Sequence, residues 1–226
     1  MGRFLRQVTA ITLKDLRLEW RGRTALLSAA VFAVLILVVF NFARDPTAVA
    51  TLDLAPSVLW VTVAFAAVVA MNRAFSVERE NNAFDGLLLA PVSREVIYLG
   101  KYLANLCFVL LVEAIALPLW ILFFNLDVGQ ALPGILAALL LATIGFVAVG
   151  TLFSAMVARV RFAELMLPVL LLPFMVPPLI FAVLITVPLL AGRPLSDATA
   201  GLRFLALYDV AFVTLSLLLF PAVVDE

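Results

Sequence analysis

The side chains in this chain able to do chemistry are few, and eight of its thirty charged residues fall between Arg73 and Lys101. Arg73, Glu78, Arg79, Glu80, Asp85, Arg94, Glu95 and Lys101 lie there, within a polar stretch that includes ERENNAFDGLLLAPVSREVIYLGK, Glu78 to Lys101. Charges of both signs around the apolar residues Phe84, Leu87 and Leu88 suit docking to another protein, not bond breaking. The rest of the chain supplies no engine. There is no histidine, and Cys107 is the only cysteine. Gly100-Lys101 is followed by Tyr102, so the GxxxxGK-Ser/Thr phosphate loop is missing, as are the GxSxG elbow and the HExxH pair. Catalysis, a bound metal and a nucleic-acid partner are therefore not expected.

The residue order predicts a short helix over about 82–89. Asn81 or Asn82 can cap it, and Asp85 suits the positive end of its dipole. Phe84, Leu87 and Leu88 then share one face at i, i+3 and i+4. Pro91 stops the helix, and Ser93 followed by Glu95 can start the next. Two readings stand for this apolar face: insertion into a groove on a partner, which the charged ends favour, or rest on the membrane surface.

The elements that position this block are dictated by hydropathy. The 226 residues are 65% hydrophobic and 13% charged, with a mean hydropathy of +1.20. Runs of the ~20 apolar residues needed to cross a bilayer fall near 25–43, 55–72, 102–125, 132–157, 164–191 and 202–224. Helices are expected, because unpaired backbone groups are too costly in lipid and no alternating barrel pattern is present. The fold class is thus all-α, a polytopic membrane protein with six transmembrane helices in a single domain, 1–226. Arg3, Arg6, Lys14, Arg17, Arg21, Arg23, Arg73, Arg79, Arg94, Lys101, Arg159 and Arg161 fall on one side, against Arg44, Arg193 and Arg203 on the other. That asymmetry predicts both termini in the cytoplasm and places residues 73–101 there as a loop. The first span is expected to remain uncleaved, despite the small-x-small Ala48-Val49-Ala50, because its basic region and apolar run exceed those of a signal peptide.

Residues 1–24 read as an amphipathic interfacial helix, with Phe4, Val8 and Ile11 at helical spacing and a basic opposite face. It is either a positive-inside anchor or a grip for a partner. Gly134, Ala138, Ala142, Gly150 and Ser154 in the fourth span permit close helix packing within one subunit. The fifth span carries Pro173, Pro177 and Pro178, and each proline removes a backbone donor. A kinked or broken helix is expected there, lining a transport route or acting as a plain structural kink. Glu113 in the third span and Asp209 in the sixth must face protein or water, since a charge at helix centre costs ~2.5–3.5 kcal/mol. Each is either part of a substrate path or proton site, or a hydrogen-bonded packing contact.

The pattern EREx3-FDGLLLAPVSRE-x4-GK after the second of six spans resembles the permeases of ABC-2-type exporters. Three further features narrow the resemblance to the haem exporter protein B (CcmB) family of cytochrome c maturation. They are the short length with six spans, the segment LLLPFMVPPLIFAV (Leu170 to Val183) and the ending LRFLALYDVAFVTLSLLLFPAVVDE. The resemblance covers essentially the whole chain. It implies that the first cytoplasmic loop contacts an ATPase through Phe75, Glu78, Arg79, Glu80, Phe84, Asp85, Leu87, Leu88 and Pro91. It also implies a bacterial inner-membrane location and a second copy of the chain. The implied partners are a CcmA-like ABC ATPase holding ATP-Mg, CcmC-like and CcmD-like haem-handling subunits and a CcmE-like haem chaperone, besides membrane lipid. Two departures bear on mechanism. Phe75-Ser76-Val77-Glu78 stands where the family often has Phe-Ala-x-Asp, so the carboxylate is one methylene longer. Many members have a histidine near the start of the third span, where this chain has none. Haem iron is usually held by His, Cys, Met or Tyr, so any haem is expected on partner subunits. The function implied is an ABC permease that exports haem or drives release of a haem chaperone. The alternatives are export of a lipid, drug or glycan, and a non-transporting scaffold.

Overall fold

Every described element is helical, as the backbone-satisfaction argument requires of an apolar chain in lipid. The computed structural model describes residues 2–22, 24–44, 50–75, 86, 89–158, 160 and 162–225. Helix α1 (Gly2–Gly22) is amphipathic, and six apolar helices long enough to cross a membrane follow it. These are α2 (Thr24–Ala43), α3 (Thr51–Arg73), α4 (Arg94–Phe124), α5 (Leu132–Val157), α6 (Ala163–Leu190) and α7 (Thr199–Asp225). A 3₁₀ turn, Leu195–Ala198, leads into α7.

Helix α5 is the hub. It packs on α3, α4, α6 and α7, and 72% of its apolar window is buried, against 22% for α2 at the periphery. The small residues explain this position. Ala138, Ala142, Gly150 and Ser154 are all buried within the one subunit, where their short side chains let four neighbours approach. Indole N–H groups tie the layers together. Trp120 donates to the Ala55 carbonyl at 2.7 Å and Trp60 to Thr186 Oγ1 at 3.0 Å.

Two expectations are corrected. The third span does not start at 102. Helix α4 begins at Arg94, so the last eight residues of the expected loop are its first two turns. The charge of Lys101 fails to mark a boundary because tertiary partners neutralise it. Of the kink or break expected in the fifth span, the break is absent: α6 runs as one α-helix through Pro168, Pro173, Pro177, Pro178 and Pro188. The expected helix at 82–89 falls mostly on residues outside the described ones, of which only Gly86 and Leu89, both helical, are described.

Candidate functional site

The polar block is anchored at both of its described ends. Phe75, just past α3, is buried, while Pro91 is exposed in the turn that precedes α4. Between them, Glu78, Arg79, Glu80, Phe84, Asp85, Leu87 and Leu88 lie outside the described residues. What holds the anchor is a three-way junction around Lys101. This side chain is 2% exposed. Its Nζ donates to the Ala74 carbonyl at 2.8 Å, pairs with Asp15 Oδ2 at 3.1 Å and lies 4.8 Å from the Phe75 ring centroid. One cation therefore joins α1, the exit of α3 and α4. A buried cation is tolerable only with such partners, and removing one partner of a buried pair costs about 3–5 kcal/mol.

Helix α1 reaches this junction because its apolar face fits α4. Val8 is buried, and Ile11 lies against Gly100. A Cβ built at Gly100 would stand 2.6 Å from Ile11 Cβ, so only glycine allows this approach. Thr12 Oγ1 donates to the Gly100 carbonyl at 3.1 Å and completes the docking. Phe4, Val8 and Ile11 recur at helical spacing as one apolar stripe of an amphipathic helix. In the structure that stripe is divided: Phe4 remains exposed, while Val8 and Ile11 seat the helix on α4. The chain's other end arrives at the same face, where Arg94 Nη2 pairs with Asp225 Oδ1 at 2.9 Å.

Deeper in the bundle, the two intramembrane acids approach one short stretch of α5 from different helices. Glu113 on α4 is buried and accepts a 2.5 Å hydrogen bond from Thr143 Oγ1. Asp209 on α7 is 8% exposed, and among the described residues neither of its carboxylate oxygens has a hydrogen-bond partner. Its Oδ1 lies against Gly145, where an added Cβ would come within 2.5 Å. Thr143 and Gly145 are two residues apart, so the acids flank one level of the bundle. Above them α4 presents a polar ladder to α5. Tyr102 donates to the Ile144 carbonyl at 3.4 Å, Tyr98 to the Ala148 carbonyl at 3.2 Å, and Asn105 to Thr151 Oγ1 at 3.1 Å.

The prolines do not form one surface. Pro173 is exposed, Pro177 is half-buried and Pro178 is buried. Pro178 has no N–H to offer the Phe174 carbonyl, its i−4 partner in an α-helix. Tyr208 of α7 supplies the missing donor, with its hydroxyl 2.6 Å from that oxygen. At Pro178, then, a neighbouring helix re-satisfies the freed carbonyl. Sequence reasoning missed Asp15, Lys101 and Tyr208 as partners. The signals were present in part, since Asp15 is the one acid in the first three-quarters of a basic helix and Pro178 announces an orphan carbonyl. Neither signal says which residue answers it.

Among the described residues, no group of three or more His, Cys, Asp or Glu converges on a possible metal site. The three tyrosine hydroxyls donate to backbone carbonyls, and Cys107 points out of the bundle.

The family described as CcmB protein matches residues 6–225 of this chain. A "Heme exporter protein B" of Paracoccus denitrificans is 30% identical over 207 residues, covering 92% of this chain and 93% of that protein. A protein of the same description from Rhodobacter capsulatus is 27% identical over 172 residues, 76% of this chain and 78% of its own. Another, from Bradyrhizobium diazoefficiens, is 26% identical over 194 residues, 84% and 87% of the two chains.

Proposed function

The chain belongs to the CcmB protein family, and on that premise we propose that it is the membrane component of a haem-export ABC system serving cytochrome c maturation. It sits in the bacterial inner membrane as two copies. It binds a CcmA-like ATPase through the segment from Phe75 to Pro91 and works beside CcmC-like and CcmD-like subunits and a CcmE-like chaperone. ATP-Mg is held and hydrolysed by the ATPase, so this chain performs no catalysis of its own. Haem is held by partners, which suits a chain with no histidine.

The observation that carries the coupling reading is the Lys101 junction. Closure of two ATPase subunits would push on the loop, whose α3 end is fixed to α1 and α4 through the Ala74 carbonyl, Asp15 and the Phe75 ring. Movement of the loop is thereby passed to rigid helices instead of being lost in a flexible connection. The output is either haem movement or ATP-driven release of the haem chaperone.

The test is co-purification of this chain with its ATPase, alongside holo-cytochrome c yield in a deletion strain. Phe84→Asp should abolish both while the chain still inserts. Stable ATPase binding by Phe84→Asp would sink the docking assignment. Normal cytochromes in the deletion strain would sink the cargo assignment.

A further inference from the structure

Lys101 shows what this fold does with a buried charge, and Asp209 lacks all of it. Among the described residues, neither Asp209 oxygen has a hydrogen-bond partner, the residue is 8% exposed, and no ion pair reaches it. The elements packed against α7 bring no compensating charge. Helix α5 meets the carboxylate with Gly145 and has no ionisable residue between Leu132 and Val157. Helix α6 has only Glu164, in its first turn. Helix α4 offers Tyr102 and Tyr98, whose hydroxyls go to α5 carbonyls, and Glu113, which is bonded to Thr143. Its Lys101 is held by Asp15 and the Ala74 carbonyl. On α7 itself the Tyr208 hydroxyl is given to Phe174, and Arg203 is exposed roughly 9 Å toward the outer end, with Asp197 of the 3₁₀ turn exposed beyond it. An ionised carboxylate without a partner is costly in such a place, and a neutral carboxylic acid far less so.

Polar side chains lead away from this acid along α5 in one direction only. Helix α5 enters from the outer face, and its first three turns, Leu132 to Ala142, carry no side-chain hydroxyl, amide or charge. From Gly145 toward the cytoplasm the ladder from α4 begins. Tyr102 reaches the Ile144 carbonyl at 3.4 Å, a long bond for a hydroxyl, and Tyr98 reaches the Ala148 carbonyl. Thr151, bonded to Asn105, and then Ser154 follow at roughly 9 and 14 Å along α5 from Gly145.

We propose that Asp209 is a proton-binding site within the membrane, served from the cytoplasmic side through the Tyr102 hydroxyl. In this packing the acid carries the proton as an O–H bond on one carboxyl oxygen. When α7 parts from α5, that bond breaks, the proton passes to water on the cytoplasmic side and the carboxylate is solvated. Return of the proton and repacking reverse the step, so helix position and proton occupancy are linked. Glycine sets the contact, since a Cβ at Gly145 would stand 2.5 Å from Asp209 Oδ1.

The experiment is infrared spectroscopy of the full chain in lipid nanodiscs, with aspartate carboxyls isotope-labelled to separate them from glutamate. At pH 7 the parent should show a protonated aspartate carbonyl band that Asp209→Asn, isosteric with the neutral acid, loses entirely. Gly145→Ala, which wedges the two helices apart, should lose the band at a lower pH than the parent. In heavy water the deuterium shift of the band should develop several-fold more slowly in Tyr102→Phe. Parent and Asp209→Asn spectra that agree in this region would overturn the site. A Gly145→Ala band that titrates with the parent's would overturn the link to packing, and exchange unchanged by Tyr102→Phe would overturn the route.

Discussion

Lys101 and Asp209 are both ionisable side chains withdrawn from solvent, and the protein treats them in opposite ways. Lys101 is surrounded by a carboxylate, a carbonyl and an aromatic face. Among the described residues Asp209 has no hydrogen-bond partner for either oxygen, although Tyr208 beside it bonds to the fifth span. The first is a fastened joint, in which every partner comes from a different segment and the charge holds them together. The second is an unspent polar group on a helix contact that a shift of α7 against α5 could satisfy. Permeases of this kind need both: a stiff place to receive force and a place where a second arrangement is not much worse than the first.

The sharpest way to break the comparison is to remove the fastening. Asp15→Asn leaves the Lys101 cation without its carboxylate and should lower stability by about 3–5 kcal/mol, read as a large fall in unfolding temperature in detergent. The pair Asp15→Leu with Lys101→Met should recover most of that loss, since a buried ion pair is replaceable by apolar side chains. If the junction transmits force, holo-cytochrome c formation should stay low in the recovered double variant. Full activity there would show that the junction only packs.

Packing gives the next effect. Gly100→Ala places a methyl 2.6 Å from Ile11 Cβ and should cost about 1–3 kcal/mol as α1 is pushed off α4. Protease should then cut within residues 2–22 at concentrations that leave the parent chain intact.

Tyr208→Phe comes third, with an expected loss of about 1–3 kcal/mol from an orphaned Phe174 carbonyl. Pro178→Ala restores the backbone donor, so in that background Tyr208→Phe should cost little more than the loss of one net hydrogen bond, ~1 kcal/mol. A cycle showing no coupling between the two substitutions would dismiss the clamp.

The smallest effect is expected at Asp209. Asp209→Asn should change stability by no more than about 1 kcal/mol, because the carboxylate makes no bond to lose. Glu113→Ala, which frees Thr143, should cost more. A large destabilisation by Asp209→Asn would show that the carboxylate is satisfied after all and erase the contrast with Lys101.

Much of this architecture was legible in the residue order. The six spans, the helix at the N-terminus and the mid-chain polar block were all visible because length, hydropathy and charge are properties of a local window. The small residues of α5 pointed to close packing, and they are buried in the hub. Legibility failed where a local signal was answered from far away. Lys101 looked like the end of a loop, because a lysine near an apolar run normally marks the interface; its partner Asp15 belongs to another helix. The prolines of α6 looked like a kink or a break, because nothing in the segment itself replaces the lost donors; Tyr208, 34 residues on from Phe174, answers the carbonyl that Pro178 frees.

The sequence by itself determined that this chain lives in a membrane, how many times it crosses, which side its basic segments favour and where its charge is concentrated. Those follow from the cost of each residue in hydrocarbon, which is summed along the chain without knowing its neighbours. Only the tertiary structure decided that Lys101 is a junction, that Tyr208 answers the carbonyl freed by Pro178 and that Asp209 is buried with no partner among the described residues. Each of those depends on which helix faces which, and a buried polar group is settled or left unpaid by the partner that packing brings to it.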